Sequence, residues 1–362
     1  MKALLRIVLG LSVVLGLGLA FAQQGEMVAE DLVAPMGLAV DDAGNVWVVD
    51  SGTGGDEEIN VIDNNTGQPA VGRFGSTSRV IRIAPDGSQT VVATLPSLVN
   101  GPDTEGGSRL AFLDGQLYAT SGIWKGPFEG EPRPLMASVV RIGDDGQVTE
   151  VASTYAFELA NNPDPNILDS HPYGLAAGPD GMLYVADAGA NAVLKIDPAT
   201  GATSLVALMP GVAGPLPNPN RGGALEMDPV PTAVAFDAAG NPLVTLLPGF
   251  PFVPGSSKVV SVSASGEVTD FATGLTMTTD MQRAPDGRLY AVQMAVFTDQ
   301  GPTPNSGRLV RIGDDGSVTE VLSGLSFPTA VAIAANGDVY LTVNGAGGPG
   351  GGVIRYAGLG NQ

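Results

Sequence analysis

The chain has 362 residues, 44% of them hydrophobic, with Gly 51, Pro 28, one histidine, no cysteine and a formal net charge of −20. The missing cysteine excludes disulfides and thiolate metal centres, one histidine is too few for a zinc site, and the acidic balance argues against nucleic acid and anionic membranes as partners. The length suffices to bury a large core without covalent staples, and frequent glycine and proline among alternating β-branched and polar residues predict many short strands with tight turns.

Residues 1–22 read as a signal peptide. Met1-Lys2-Ala3-Leu4-Leu5-Arg6 is a basic start, Ile7 to Phe21 an apolar run, and Ala20-Phe21-Ala22 a small-x-small pattern with cleavage expected after Ala22. The run is too short and too rich in glycine for a comfortable membrane span. The expected mature chain, 23–362, is a single domain, secreted or periplasmic, with no membrane anchor after cleavage.

From there on, two kinds of hairpin alternate. The first reads PMGLAVDDAGNVWVVD (35–50), SRLAFLDGQLYATS (108–121), PYGLAAGPDGMLYVAD (172–187), PTAVAFDAAGNPLVT (231–245), DMQRAPDGRLYAV (280–292) and PTAVAIAANGDVYLT (328–342). The second is clearest in RIGDDGQVTEV (141–151) and RIGDDGSVTEV (311–321), which differ only at Gln147 and Ser317. Looser copies occur at 82–92, 195–206 and 261–271. Each unit is strand, Asp/Gly turn, strand. Leu38, Leu110, Leu175, Val234, Met281 and Val331 are equivalent and recur every 47 to 72 residues. Six units of two hairpins predict an all-β fold, a six-bladed β-propeller, and the architecture resembles that of NHL and SMP-30 propellers. The last unit stops one strand short at Val353-Ile354-Arg355-Tyr356. The strand-like 27–33 is expected to complete that blade and close the ring, which removes a free edge. No helix longer than a turn is expected beyond the leader.

In a four-stranded blade, inner-to-second and third-to-outer connections share one face, and the remaining connections share the other. Here the first set are tight turns such as Asp42-Ala43-Gly44 and Pro179-Asp180-Gly181. The second set holds the long insertions 51–78, 96–107, 121–136, 155–171, 209–230, 247–257 and 294–306. Long loops are where function concentrates, so a site is expected at the channel mouth on the looped face. Arg109, Trp124, Tyr155, Asp169, His171, Tyr173 and Asp280 are the ligand-binding candidates, with Lys125, Phe128 and Glu158 nearby. Arg109 and Asp280 also have a structural reading, as groups that satisfy each other or backbone near the channel. Asp50 and Asp187, at second-strand ends, are expected to tie down turns.

The expected role is a binding scaffold for a small molecule, glycan or protein. The enzymatic alternative is a propeller hydrolase or lactonase of the gluconolactonase (SMP-30) type, with Asp169, His171 and Tyr173 as catalytic candidates. No Gly-x-Ser-x-Gly elbow accompanies His171. In calcium-dependent lactonases of that group, oxygen side chains at inner-strand starts converge on one axial ion. The matching positions here are Met36, Ser108, Tyr173, Thr232, Thr279 and Thr329, with neither carboxylate nor amide, and Asp280 is offset by one, which in a strand turns it to the other face. No metal or cofactor is therefore expected; calcium is kept as an alternative that the channel positions do not support.

Asn161-Asn162-Pro163-Asp164 through Asp169-Ser170-His171-Pro172-Tyr173-Gly174-Leu175-Ala176, with ADAGANAVLKID (186–197), VPTAVAF (230–236) and PGFPFVPGSSKV (248–259), resembles the ScyD/ScyE family across essentially the whole mature chain. The resemblance implies an exported NHL-like propeller and no established activity. His171 stands where the family pattern suggests Asn, and Arg109 where it often has Asp.

Overall fold

A computed structural model describes residues 25–63, 66–126, 130–346 and 348–361. The leader 1–22 and Phe128 lie outside the described residues.

The fold is all-β. Among the described residues six sheets contain four or more strands, and each begins with one of the six equivalent hairpins. Their first strands are Pro35–Val40, Gly107–Leu113, Pro172–Ala177, Pro231–Phe236, Thr278–Arg283 and Val331–Ile333. The sequence equivalence is physical. Leu38 pairs with Val48, Leu110 with Ala119, Leu175 with Val185, Val234 with Val244, Met281 with Ala291 and Val331 with Leu341. Every one of those second-strand partners is completely buried. Second strands are apolar on both faces because each lies between the neighbouring sheets. Outer strands such as Val148–Ser153 are half-buried or exposed apart from Ala152.

The first strands lie side by side in chain order, and Val331–Ile333 lies against Pro35–Val40. This is the radial arrangement of a propeller. Glu26–Val33 adds antiparallel to Pro349–Tyr356 at the outside of the sixth sheet, with Ala29 and Leu32 buried there.

Two expectations need correction. Residues 154–161 form an eight-residue helix, α1 (Thr154–Asn161), capped by Ser153, whose hydroxyl accepts from the Ala156 amide at 3.1 Å. Its buried face is only Thr154, Tyr155 and Glu158, too short for a periodic signal. Several insertions also form paired strands rather than loops. Glu57–Ile62 pairs with the start of Pro69–Ile83, Val212–Asn218 with Ala224–Met227, and Trp124–Lys125 with Asp169–Ser170.

Candidate functional site

Each of the first five inner strands carries a register irregularity near its start, between Pro35 and Gly37, Gly107 and Leu110, Pro172 and Gly174, Pro231 and Ala233, and Thr278 and Asp280. A bulge leaves a residue outside the ladder and breaks the side-chain alternation. That corrects the expectation for Asp280. Its side chain returns to the axis, with Oδ1 3.3 Å from Arg109 Nε.

Arg109 is 3% exposed and reaches across the axis. Nη1 donates to the carbonyls of Met36 and, at 2.8 Å, Ser108. Nη2 donates to the carbonyls of Thr279 and, at 3.0 Å, Thr329. The guanidinium carbon lies 4.5 Å from the centre of the Tyr173 ring. Asp280 also accepts from the Met281 and Val331 amides at 2.9 Å each. Below the pair, a cavity of about 380 Å³ runs past Leu110, Leu175 and Met281 to the strand ends at Val40, Phe112 and Phe236, beside the tight turns. The axial cavity thus belongs to the plain face, and Arg109 separates it from the looped one.

On the looped side a polar cluster assembles from separate segments. The pairing of Trp124–Lys125 with Asp169–Ser170 sets Lys125 opposite Asp169, with Nζ 3.6 Å from Oδ2. Glu105, from the short strand Asp103–Glu105, brings Oε2 to 3.8 Å from His171 Nε2. His171 stacks edge-on against Tyr173, ring centres 5.4 Å apart. Asp187 fixes the backbone beneath. Its carboxylate accepts from the His171 amide and the Ser170 hydroxyl, each at 2.7 Å, and from the Ala190 amide at 3.1 Å. Asp50 accepts likewise from the Val33 and Arg79 amides and pairs with the Arg79 guanidinium.

Burial pushes the His171 imidazole down to about 4, with Lys125 and Arg109 acting the same way and Asp187 opposing them. At neutral pH the ring is uncharged, with one donor and one acceptor nitrogen. Burial lifts the Asp187 carboxyl and the Tyr173 phenol. It also drives Glu158, which is 1% exposed, to about 8, helped by Asp187, Asp169 and Asp164.

The structure therefore groups Asp169, His171 and Tyr173 at the mouth and pairs Arg109 with Asp280 on the axis. Trp124 and Tyr155, expected to contact ligand, are core residues instead. They are 1% and 3% exposed and pack with Ile59, Val61, Leu98 and Met136, and the Trp124 indole N–H donates to the Gly130 carbonyl at 3.0 Å. The hairpin Glu57–Ile62 covers them, a long-range contact that no local pattern announces. Glu105 escaped notice for the same reason, since only the fold carries it to His171.

An axial calcium ion does not fit these residues. The converging carbonyls are already spent on a guanidinium, and among the described residues no group of three or more His, Asp or Glu is placed to hold a metal.

Residues 176–348 match the family model of the SMP-30/Gluconolactonase/LRE-like region. No curated protein sequence matches the chain. A gluconolactonase from Xanthomonas campestris superposes with a TM-score of 0.55 at 11% identity, over 91% of this chain and 88% of that one. A Thermus thermophilus protein provisionally named as an oxidoreductase (glucose dehydrogenase) gives 0.54 at 18%, over 92% and 99%. A protein of unknown function from Bacteroides thetaiotaomicron gives 0.54 at 13%, over 92% and 72%. At such identities the likeness is one of fold, so the chain shares the β-propeller fold of these proteins, and residues 176–348 carry the SMP-30/gluconolactonase-like sequence pattern.

Proposed function

We propose that this protein is an exported, six-bladed propeller of the ScyD/ScyE type, closed by 26–33, that binds a small hydroxyl-rich molecule such as a sugar or glycan end at its channel mouth. The pairing of Glu26–Val33 with Pro349–Tyr356 supports the closure. The binding reading is carried by one observation: Glu105, Lys125, Asp169, His171 and Tyr173 meet on the looped side from three separate segments. Fixed carboxylates, an ammonium and a neutral imidazole within a few ångströms supply alternating donors and acceptors, and Tyr173 adds an apolar ring edge. Calorimetric titration with a panel of mono- and oligosaccharides tests it. His171→Ala and Glu105→Gln should each weaken the best binder at least about tenfold, the worth of one lost hydrogen bond to a charged or buried group. No binding across the panel, or binding indifferent to both changes, overturns it.

A second reading, hydrolysis of a lactone or ester by Asp169, His171 and Tyr173, draws support from the family match over 176–348 and from the His171–Glu105 contact. Against it, an imidazole pushed down to about 4 is a weak base, whereas a general base works best with a pKa near the operating pH. Turnover of a lactone and ester panel, abolished by His171→Ala, would reverse the order of the two readings.

A further inference from the structure

We infer that the propeller axis is a cation site whose cation is built into the chain: the guanidinium of Arg109 occupies the place a metal ion would take, so that the inner strands are held together without calcium. The donor set is that of a hard cation. Backbone carbonyls of Met36, Ser108, Thr279 and Thr329 come from the first, second, fifth and sixth sheets, and the Asp280 carboxylate adds the negative charge. The bulges at Met36, Ser108 and Thr279 free three of those carbonyls from the ladder, and Thr329 lies just ahead of the sixth sheet's first strand. A buried charge persists only when paired and hydrogen-bonded, and the planar fork of arginine spreads five donors over three nitrogens, whereas lysine has three donors on a single nitrogen.

The space is shaped for this group. A Cβ on Gly37 would lie 2.6 Å from the Ser108 carbonyl oxygen and 2.8 Å from Arg109 Cα, so glycine lets the first strand close on the second. Tyr173 covers one side of the guanidinium. The inference does not depend on what binds at the looped mouth, since Arg109 faces the axis and the cavity below it.

Thermal unfolding of the full chain tests it, with chelator, with millimolar calcium and with millimolar guanidinium well below denaturing concentrations. The wild-type Tm should be the same in all three. Arg109→Ala takes the counter-charge from Asp280 and the guanidinium donors from four carbonyls and should lower Tm by about 10 °C. The axial cavity gives free guanidinium a route to the vacated site, so it should restore part of that loss, which an equal concentration of sodium chloride should not. If Arg109→Ala does not fold, Arg109→Lys keeps the charge without the fork and should melt below wild type while ignoring calcium. A wild-type Tm that falls on chelation and returns with calcium overturns the inference. So does an Arg109→Ala protein of unchanged Tm or one indifferent to guanidinium, or an Arg109→Lys protein as stable as wild type.

Discussion

Thr329 donates its hydroxyl to the carbonyl oxygen of Pro35 at 2.6 Å, joining residues 294 positions apart and the last inner strand to the first. Its hydroxyl also lies 2.8 Å from that of Thr342, which accepts from the Thr329 and Ala330 amides. The fourth sheet repeats the device. Thr232 and Thr245 hydroxyls are 2.8 Å apart, and Thr232 donates to the Thr278 carbonyl of the fifth sheet at 2.8 Å. In both sheets the first threonine of the pair reaches the next sheet, and in the sixth Thr342 also satisfies two amides of its own sheet.

Replacing Thr329 by the isosteric valine strands the Pro35 carbonyl in a dry place. Urea unfolding of Thr329→Val should show a loss of about 1–3 kcal/mol, and Thr232→Val a similar one. Losses below about 0.5 kcal/mol for both would mean that these bonds contribute nothing net.

Glu158 governs the alkaline side of the stability profile. Its folded value of about 8 stands above the ordinary 4.5, so the folded state holds this proton more tightly than the unfolded chain does. The contribution is therefore complete below about 4.5 and disappears as pH rises through about 8. Glu158→Gln keeps the shape and removes the ionisation. It should match wild type near pH 4 and exceed it by about 2–4 kcal/mol above pH 8 in denaturant titrations. Parallel profiles for the two proteins would refute the assignment.

His171 acts in the opposite sense. Its folded value of about 4 lies below the ordinary 6.5, so the folded state binds fewer protons. The stability it contributes is complete above 6.5 and is lost as pH falls through about 4. As the only histidine in the sequence, its imidazole proton resonance needs no assignment. That resonance should stay still from neutral pH down to about 5 and move only as pH approaches 4. A midpoint near 6.5 would show an imidazole open to water.

The equivalence of Leu38, Leu110, Leu175, Val234, Met281 and Val331 was legible because each sheet repeats one local pattern: an apolar strand, a turn that needs Asp or Gly, and a second apolar strand. Helix α1 was not legible, because its short stretch of weak amphipathy inside an insertion carries no period. Nor was the burial of Trp124 and Tyr155, since residues far off in sequence supply the wall that covers them.

Sequence alone determined the strands, their turns and their grouping into repeats, because these rest on side-chain alternation and on backbone preferences of neighbouring residues. Only the tertiary structure decided what the polar residues do. A bulge of a single residue turned Asp280 from the wrong face onto the axis, and Arg109 found its carbonyls on four different sheets. His171 likewise met a glutamate that precedes it by a whole sheet. The strength of such contacts depends on distance in space and on exclusion of water, and neither is written in the spacing of residues along the chain.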